Sequence, residues 1–551
     1  MRPQLLSAAI SALVLGSCYS PGDGQAPPLD SLYFPTGLTL DTVTKNGDDA
    51  PKYLYVASSD FDLQYRSSSL VSYDLDALRK AMPKSCTATD TSNCQDGVET
   101  CDATSTEQNN GIPSFFCVKA DLKPCGELAE RNNADRLLYP GRCASIDQKA
   151  LIRDTVGIGA FATDVILRAN PNLDASYAAR LFLPVRGDAT LHWIDLADGK
   201  FACGQSSNSD TSCDGLHRSG DVTADNNDNL RQPSEPFATD ATLDGAYVAV
   251  TNQTTGSVSL FVNDWRADVG PKLASVLGGL PQAPVAIAAI PPPSKVLSGG
   301  VDAAPGFLVA YRNAAQVDLL RVRSDLADTG TSIPNGGGSY SRYALTETGS
   351  APINANSLGF DSRDLVIDVE QRNKDYVACA NAGRDNDPAC FLAAHQPEIY
   401  IANRAPSSLL VGAMTADSGY SAGTSELPSF TDSVALTSGP SRAVLGHVKV
   451  PGSDNREANG STYNLETRVF IVCFDSRRIF VYDPTRRVID AIINTGRGPY
   501  ALAIDDRRGL AYVAHFTDSY LGVVSLDQRF PQTYAAIVAS IGEPSPPRSS
   551  K

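Results

Sequence analysis

Histidine is scarce in this chain: five among 551 residues, His192, His217, His395, His447 and His515, scattered rather than grouped. There is no H-E-x-x-H, G-x-S-x-G, Walker loop or dinucleotide fingerprint, so the usual signatures of metalloproteases, α/β-hydrolases, NTPases and nucleotide oxidoreductases are missing. C-x-x-C pairs are also missing. Zinc sites favour such short spacings and c-type haem attachment requires C-x-x-C-H, so neither a metal nor a cofactor is expected. Positive charge is in deficit, with 46 Lys plus Arg against 62 Asp plus Glu and a formal net charge of −16. Such a surface repels a phosphate backbone, which argues against a nucleic-acid partner. Helical periodicity is rare, the best stretches being YDLDALRKAM near residue 80 and SIDQKALIRD near residue 150. The only long apolar run, from Leu5 to Leu15, is too short to span a bilayer.

That run follows Arg2 and ends in Leu15-Gly16-Ser17-Cys18. A positive charge, a short apolar segment and small residues make residues 1–17 a signal peptide. The last four residues resemble a bacterial lipobox, which implies cleavage before Cys18 and its lipidation. A mature lipoprotein carries several acyl chains, enough for stable anchoring. Residues 18–31 then form the lipidated cysteine and a flexible tether. Tyr19 stands where enterobacterial inner-membrane lipoproteins carry Asp, so the expected location is the outer membrane. Removal of Arg2 makes the mature chain one unit more negative. The remainder, 42% hydrophobic with 43 Gly and 35 Pro, fits a large, loop-rich globular body rather than a disordered one.

Twelve cysteines suit an oxidising compartment. Besides Cys18 they fall into groups: Cys86, Cys94, Cys101, Cys117, Cys125 and Cys143; then Cys203 with Cys213; then Cys379 with Cys390; and lone Cys473. The even groups read as disulfides, and fifteen connectivities are open to the set of six. Each of the two short bridges closes about ten residues and contributes on the order of 2 to 3 kcal/mol. Cys473, within RVFIVCFD, reads as a buried structural thiol.

A recurring unit organises the body. Residues 498–527, GPYALAIDDRRGLAYVAHFTDSYLGVVSLD, contain an entry strand after a proline, a second strand LAYVAH and a third strand LGVVSLD, separated by turn residues. The entry element recurs as PTGLTLD, FATDVIL, PFATDAT, PVAIAAI, SRDLVID and PSRAVLG, making seven copies. Second elements follow (YLYVASS, RLFLPVRG, AYVAVTN, FLVAYRN, EIYIANR, RVFIVCF, AYVAHF), and third elements follow those. The spacing from Pro236 to Pro284, or from Pro440 to Pro499, slightly exceeds the roughly 40 to 45 residues of a four-stranded propeller blade, and insertions explain the excess.

AYVAVTN, IYIANR and LHWIDL match best the pattern that this repeat resembles, the YVTN-type repeat of bacterial β-propellers. The copy at FATDVIL lacks its proline, SRDLVID has Ser362 there, and FLVAYRN ends in Tyr-Arg-Asn. The resemblance implies an all-β, seven-bladed β-propeller over residues 32–544, with a disulfide-rich insertion, 80–155, in the first blade and a tail at 545–551. Residues 533–544, TYAAIVASIGEP, are expected to close the ring by pairing with the first blade, removing exposed edges.

A propeller fold hosts unrelated functions. In such a ring, loops before entry strands and loops between second and third strands share one face, termed the top. Aligned entry strands place Thr36, Phe161 or Ala162, Phe237, Val285, Arg363, Ser441 and Tyr500 at its mouth, with Asp60, Arg66, Asn252, Arg312, Asn403, Arg404, Asp475, Arg477 and His515 in neighbouring loops. Aromatic and Arg side chains are enriched among residues that carry binding energy. Arg312, Arg363, Arg404 and Arg497 would attract an acidic ligand to an otherwise acidic protein, or else pair with acids such as Asp364 and Asp475. Asp164 and Asp240 occupy equivalent places in the repeated FATD; they could hold a cation, perform acid/base work, or cap backbone N–H groups. The runs 225–229 and 383–387 lack the EF-hand spacing. The expected function is a binding or scaffolding module for a protein or glycan partner, rather than an enzyme. A lactonase-like enzyme working at the channel mouth is the alternative.

Overall fold

The computed structural model describes residues 25–41, 51–82, 145–171, 177–204, 211–221, 230–266, 269–290, 305–323, 343–353, 360–384, 396–415, 427–456, 462–531 and 533–545, with short strand segments at 85–87, 94–95, 98–99 and 114–116. Seven antiparallel sheets succeed one another along the chain. Blade 1 comprises Pro35–Leu40, Tyr53–Ser58, Ser68–Asp74 and Ile152–Ile158. Blade 2 comprises Ile166–Ala169, Ala179–Val185 and Thr190–Ala197, with an outer edge shared by Lys200–Ala202 and Arg218–Ser219. Blade 3 is Pro236–Ala241, Tyr247–Asn252, Ser257–Asp264 and Gly270–Leu277; blade 4 is Pro284–Ile290, Gly306–Tyr311, Gln316–Arg323 and Ala344–Pro352. Blade 5 is Ser362–Asp368, Glu398–Arg404, Ser407–Thr415 and Leu427–Ala435; blade 6 is Pro440–Arg456, Thr462–Cys473, Arg478–Asp483 and Val488–Asn494. Blade 7 is Pro499–Asp505, Leu510–His515, Tyr520–Ser525 and Ile537–Ile541. This is the all-β, seven-bladed β-propeller expected from the repeat.

The seven entry segments are the inner strands, each packed against the inner strands on either side, blade 7 against blade 1 included. Second and third strands lie between neighbouring sheets and are covered on both faces. Tyr53–Ser58, Ala179–Val185 and Tyr520–Ser525 are therefore buried at every position, and their sequences are apolar runs without clean alternation. Outer strands such as Val488–Asn494 and Ala344–Pro352 are largely open to solvent. Their mixed composition explains why only three strands per unit stand out in the sequence.

Ring closure differs from expectation. Ile537–Ile541 pairs antiparallel with Tyr520–Ser525 and is the outer strand of blade 7, not a strand donated to blade 1. Its free edge is met in parallel by Ser145–Ile146, from the connection between the third and fourth strands of blade 1. The ends thus meet by face-to-face packing of complete blades: Leu54, Val56 and Val71 of blade 1 join Tyr512, Leu521 and Val523 of blade 7 in one apolar cluster. Gln25, in the segment expected as a tether, forms a bridge with Tyr65, while Asp30 pairs with Lys149 at 2.6 Å.

Cys203 and Cys213 form a disulfide with a Cα–Cα distance of 5.1 Å, closing the loop between the two outer-edge pieces of blade 2. Cys379 is disulfide-bonded, and Cys390 lies outside the described residues. The pairing of Cys86, Cys94, Cys101, Cys117, Cys125 and Cys143 also lies outside what is described. Cys473 is free and buried, its thiol pKa pushed up to about 12 by burial, which makes it a poor nucleophile. Among the described residues no helix is long and apolar enough to cross a membrane.

Truncation after residue 531 would strip the outer strand from blade 7 and uncover Val523 and Val524, both fully buried. The melting temperature is expected to fall by at least several degrees, because the removed strand carries Ile537 and Ile541, each worth about 2 to 4 kcal/mol if truncated singly. An unchanged melt would show that this strand contributes nothing to the stability of blade 7.

Candidate functional site

One backbone contact shapes the top face. In every blade a residue ahead of the inner strand, directly before it in six blades and five positions before Ile166 in blade 2, offers its carbonyl to the N–H of a residue just after or at the end of the second strand. The acceptors are Phe34, Phe161, Glu235, Ala283, Asp361, Gly439 and Gly498; the donors, in the same order, are Ser59, Arg186, Gln253, Arg312, Arg404, Phe474 and Phe516, at 2.7 to 3.1 Å. Six of the acceptors, all but Asp361, have positive φ. Gly439 tolerates this without a Cβ, which would otherwise lie 2.6 Å from the Asp475 nitrogen. A side chain there costs about 1 to 2 kcal/mol. At Phe34 and Phe161 the unusual backbone places aromatic rings in contact with rings from second-to-third-strand loops.

The two sets of turn residues divide the mouth into two arcs. On the side of blades 6, 7, 1 and 2, Phe516 is the hub: its ring centroid lies 5.0 Å from Phe34, 5.3 Å from Phe61, 5.8 Å from Tyr500 and 6.4 Å from Phe474. Phe61 also meets Phe161 at 6.4 Å, edge to face. Tilted and edge-on pairs of this kind are favourable and leave ring surface available. Phe61 remains 57% exposed and Leu63, two residues on, 56%. Beneath them Asp60 is buried, its pKa raised to about 6 by desolvation, and it accepts the Tyr65 N–H at 3.1 Å.

The opposite arc is ionic and links blades. Arg186 reaches Glu235 at 2.7 Å; Arg363 and Arg312 reach Asp361 at 2.7 and 3.5 Å; Arg404 reaches Asp475 at 2.6 Å. Arg497 pairs with buried Asp518 at 2.6 Å. Of the four arginines expected at the mouth, three therefore converge between blades 4 and 6, each with an acid partner, and Arg363 uses Asp361 rather than Asp364. Exposed pairs of this kind contribute about 0 to 1 kcal/mol each.

Below the mouth, Arg442 of blade 6 crosses the channel to Asp164 of blade 2, 3.0 Å away, and to the Thr163 carbonyl at 3.2 Å. Tyr500 lies over the guanidinium at 5.4 Å. Burial opposes the Arg442 charge, but Asp164 and Asp364 outweigh it and hold it protonated. Burial raises both carboxyls, Asp364 to about 6, against the opposing pull of Arg442. These carboxylates also join blades through backbone N–H groups. Asp164 accepts from Val165, with the Thr239 N–H beside it; Asp240 accepts from Ala241 and Ala289; Asp364 accepts from Leu365 and Ala443. Asp240 further pairs with Arg168. At the bottom, His447 sits between Asp506 (2.9 Å) and Glu370 (3.0 Å), which raise its pKa despite partial burial.

Several residues expected at the mouth are buried instead: Thr36, Asp60, Val285, Asn403, His515 and Asn252. His515 is fully buried, stacked on Tyr520 at 4.1 Å, and accepts the Gly496 N–H; burial lowers its pKa to about 3, so it is a neutral structural group. Asn252 is also fully buried, bonded to Gln232, Ser257 and Ser259. Both close the second strand, one residue before the turn that carries side chains outward. Phe237 is half-buried in the apolar cluster between blades 3 and 4, and Tyr500 belongs to the aromatic arc. The aligned position after each entry proline misses Phe34, Phe61, Phe474, Phe516 and Arg442. The informative positions are the residue before the entry strand, where Phe-Pro at 34 and 35 is legible, and the residue after the second strand, where Phe474 and Phe516 recur.

No family model and no curated protein sequence matches the chain. Among solved structures it is similar to a Bacteroides uniformis protein provisionally assigned as a 6-phosphogluconolactonase, with 13% identity and a TM-score of 0.40, covering 87% of this chain and 92% of that one. It is also similar to a periplasmic gluconolactonase of Pseudomonas aeruginosa, at 13% identity and TM-score 0.37, covering 71% and 88%. A β-propeller domain from Myceliophteria thermophila shows 8% identity, TM-score 0.40 and coverage of 90% and 95%.

Replacing Arg442 with Gln would leave Asp164 and Asp364 buried without their countercharge, a loss of about 3 to 5 kcal/mol. Both carboxyls titrate above their unfolded value, so the folded state retains protons that the unfolded chain releases. Their contribution to stability is then greatest below pH 4 and declines as pH rises through the folded-state values, about 6 for Asp364. The variant's urea midpoint should recover toward wild type at pH 4.5 and deteriorate at pH 7. An equal deficit at both pH values would contradict this account.

Proposed function

We propose that the chain is an envelope lipoprotein anchored through Cys18 at the outer membrane, and that its propeller is a binding or scaffolding module for a protein or glycan partner engaged at the top mouth. The observation that carries this reading is the arc of Phe34, Phe61, Phe161, Phe474 and Phe516, with Phe61 left more than half exposed beside an arginine-bearing arc. Contiguous exposed apolar surface rimmed by polar groups marks interaction sites, and aromatic and Arg side chains carry a large share of binding energy. The lactonase-like alternative draws less support from the geometry. Asp164, Asp240 and Asp364 face backbone N–H groups and arginines that join blades, leaving them poorly placed to handle a substrate proton.

Cys18→Ala is expected to release the protein from the membrane fraction and to remove the acyl mass from the mature chain; a variant that still pellets with membranes would overturn the anchoring. Replacing Arg363, Arg404 and Tyr500 together with Ala should reduce partner capture from envelope extract at least tenfold, while the melting temperature moves by only a few degrees. A large drop in melt with capture falling in proportion would assign these residues to the scaffold instead.

A further inference from the structure

We infer that the Phe61–Leu63 loop is a membrane-contact element that seats the propeller top face toward the bilayer holding the lipidated Cys18; this rests on the anchoring proposed above. Three observations support it. The first is where the chain leaves the fold. Gln25 forms a bridge with Tyr65, and its carbonyl accepts the Arg66 N–H at 3.0 Å, so the N-terminal segment emerges at the top rim of blade 1, in the loop that carries Phe61 and Leu63. Gln25 lies seven residue steps from Cys18, and an extended chain gains at most roughly 3.3 to 3.6 Å per step. A lipid on Cys18 therefore holds this rim within about 25 Å of the acyl region, and the opposite face cannot turn toward the membrane without the tether first wrapping around blade 1.

The second observation is the distribution of exposed large apolar side chains. Among the described residues, Phe61, Leu63 and Phe360 lie in top-face loops, whereas Leu243 lies in a bottom loop, Leu216 lies on the outer edge of blade 2, and Val488 and Ile492 lie on an outer strand. Phe61 and Leu63 are adjacent protrusions, flanked by half-buried Tyr33 and Tyr65, whose rings pack edge to face. An apolar tip bordered by tyrosines suits the interface between headgroups and acyl chains. Asp62, between the two, accepts hydrogen bonds from the Tyr33 hydroxyl and the Gln64 side chain, so contact is shallow, at headgroup depth.

The third is charge. A protein of net charge −16 is repelled by anionic lipid. On the top face, however, Glu235, Asp361, Asp475 and Asp518 are each neutralised by an arginine. These pairs remove much of the repulsion that acids on this face would otherwise exert on a lipid surface, and the orientation restricts access to the mouth to molecules at the bilayer surface.

The test uses the lipidated full chain reconstituted in phosphatidylethanolamine/phosphatidylglycerol vesicles, with a fluorophore on Leu63→Cys, on Phe360→Cys or, as the bottom-face control, on Leu243→Cys. Native Cys473 is buried and will not compete for the label. Bromine-substituted lipid is expected to quench the label at 63 at least threefold more than that at 243. Phe61→Ser combined with Leu63→Ser should at least halve the quenching at 360 while lowering the melting temperature by only a few degrees, from the lost ring contacts of Phe61. Equal quenching at 63 and 243 in vesicle-bound protein would overturn the orientation. Burial of the 63 label that rises with protein concentration, without lipid quenching, would assign the patch to a second copy and overturn it too. A chain that lacks acyl mass and does not float with vesicles would instead be a failure of the Cys18 reading, and the two failures are distinguished by mass and flotation before any quenching is measured.

Discussion

A single backbone hydrogen bond, repeated in all seven blades, sets the top face on which the proposed function depends. It ties the turn before each inner strand to the turn after each second strand, and so fixes the backbone of two residues per blade near the rim of the channel. Because the bond is made by backbone groups, it constrains geometry and leaves side-chain identity open. Blades 6, 7, 1 and 2 fill those positions with Phe, whereas blades 2 to 5 use arginines and acids that link neighbours. A left-handed backbone at Phe34, Phe161, Glu235 and Ala283 is a local cost that the repeated bond and the packing of the ring sustain.

Ionic groups inside the ring serve mainly to hold blades in register. Arg180 of blade 2 is fully buried against Asp195 and reaches Asn263 of blade 3 at 2.7 Å, with its guanidinium over Trp193. Asp164, Asp240 and Asp364 place carboxylate oxygens on the backbone of the next blade, and Arg442 ties opposite walls of the channel. Buried pairs of this kind give geometric specificity more dependably than stability, since desolvation offsets much of their attraction. In a closed ring, a small slip at each of seven interfaces would accumulate, and these directional contacts oppose such slips where apolar packing alone would not.

Three of the four strands in each blade were legible in the chain, because inner, second and third strands are covered by neighbouring blades and read as apolar runs after a proline or its substitute. Outer strands such as Leu427–Ala435 are half solvated and blend with loop composition. The same difference explains why closure departs from expectation: residues 533–544 read as a strand without a partner, because the outer position they fill in blade 7 leaves no apolar signature in the other units. His515 and Asn252 were drawn to the mouth by their proximity to a turn. Strand pleating sends the last residue of the second strand inward and its successor, Phe516 or Gln253, toward the rim.

The sequence by itself determined the fold class, the number of blades, the order of strands within each unit and the pairing of Cys203 with Cys213, because each depends on local periodicity or short spacing. Only the tertiary structure decided which side chains meet. The aromatic arc draws on residues 34, 61, 161, 474 and 516, and the channel tie joins residue 164 to residue 442. Bringing such distant positions together requires ring closure, which rests on the packing of whole blades against one another, a property with no periodic trace along the chain.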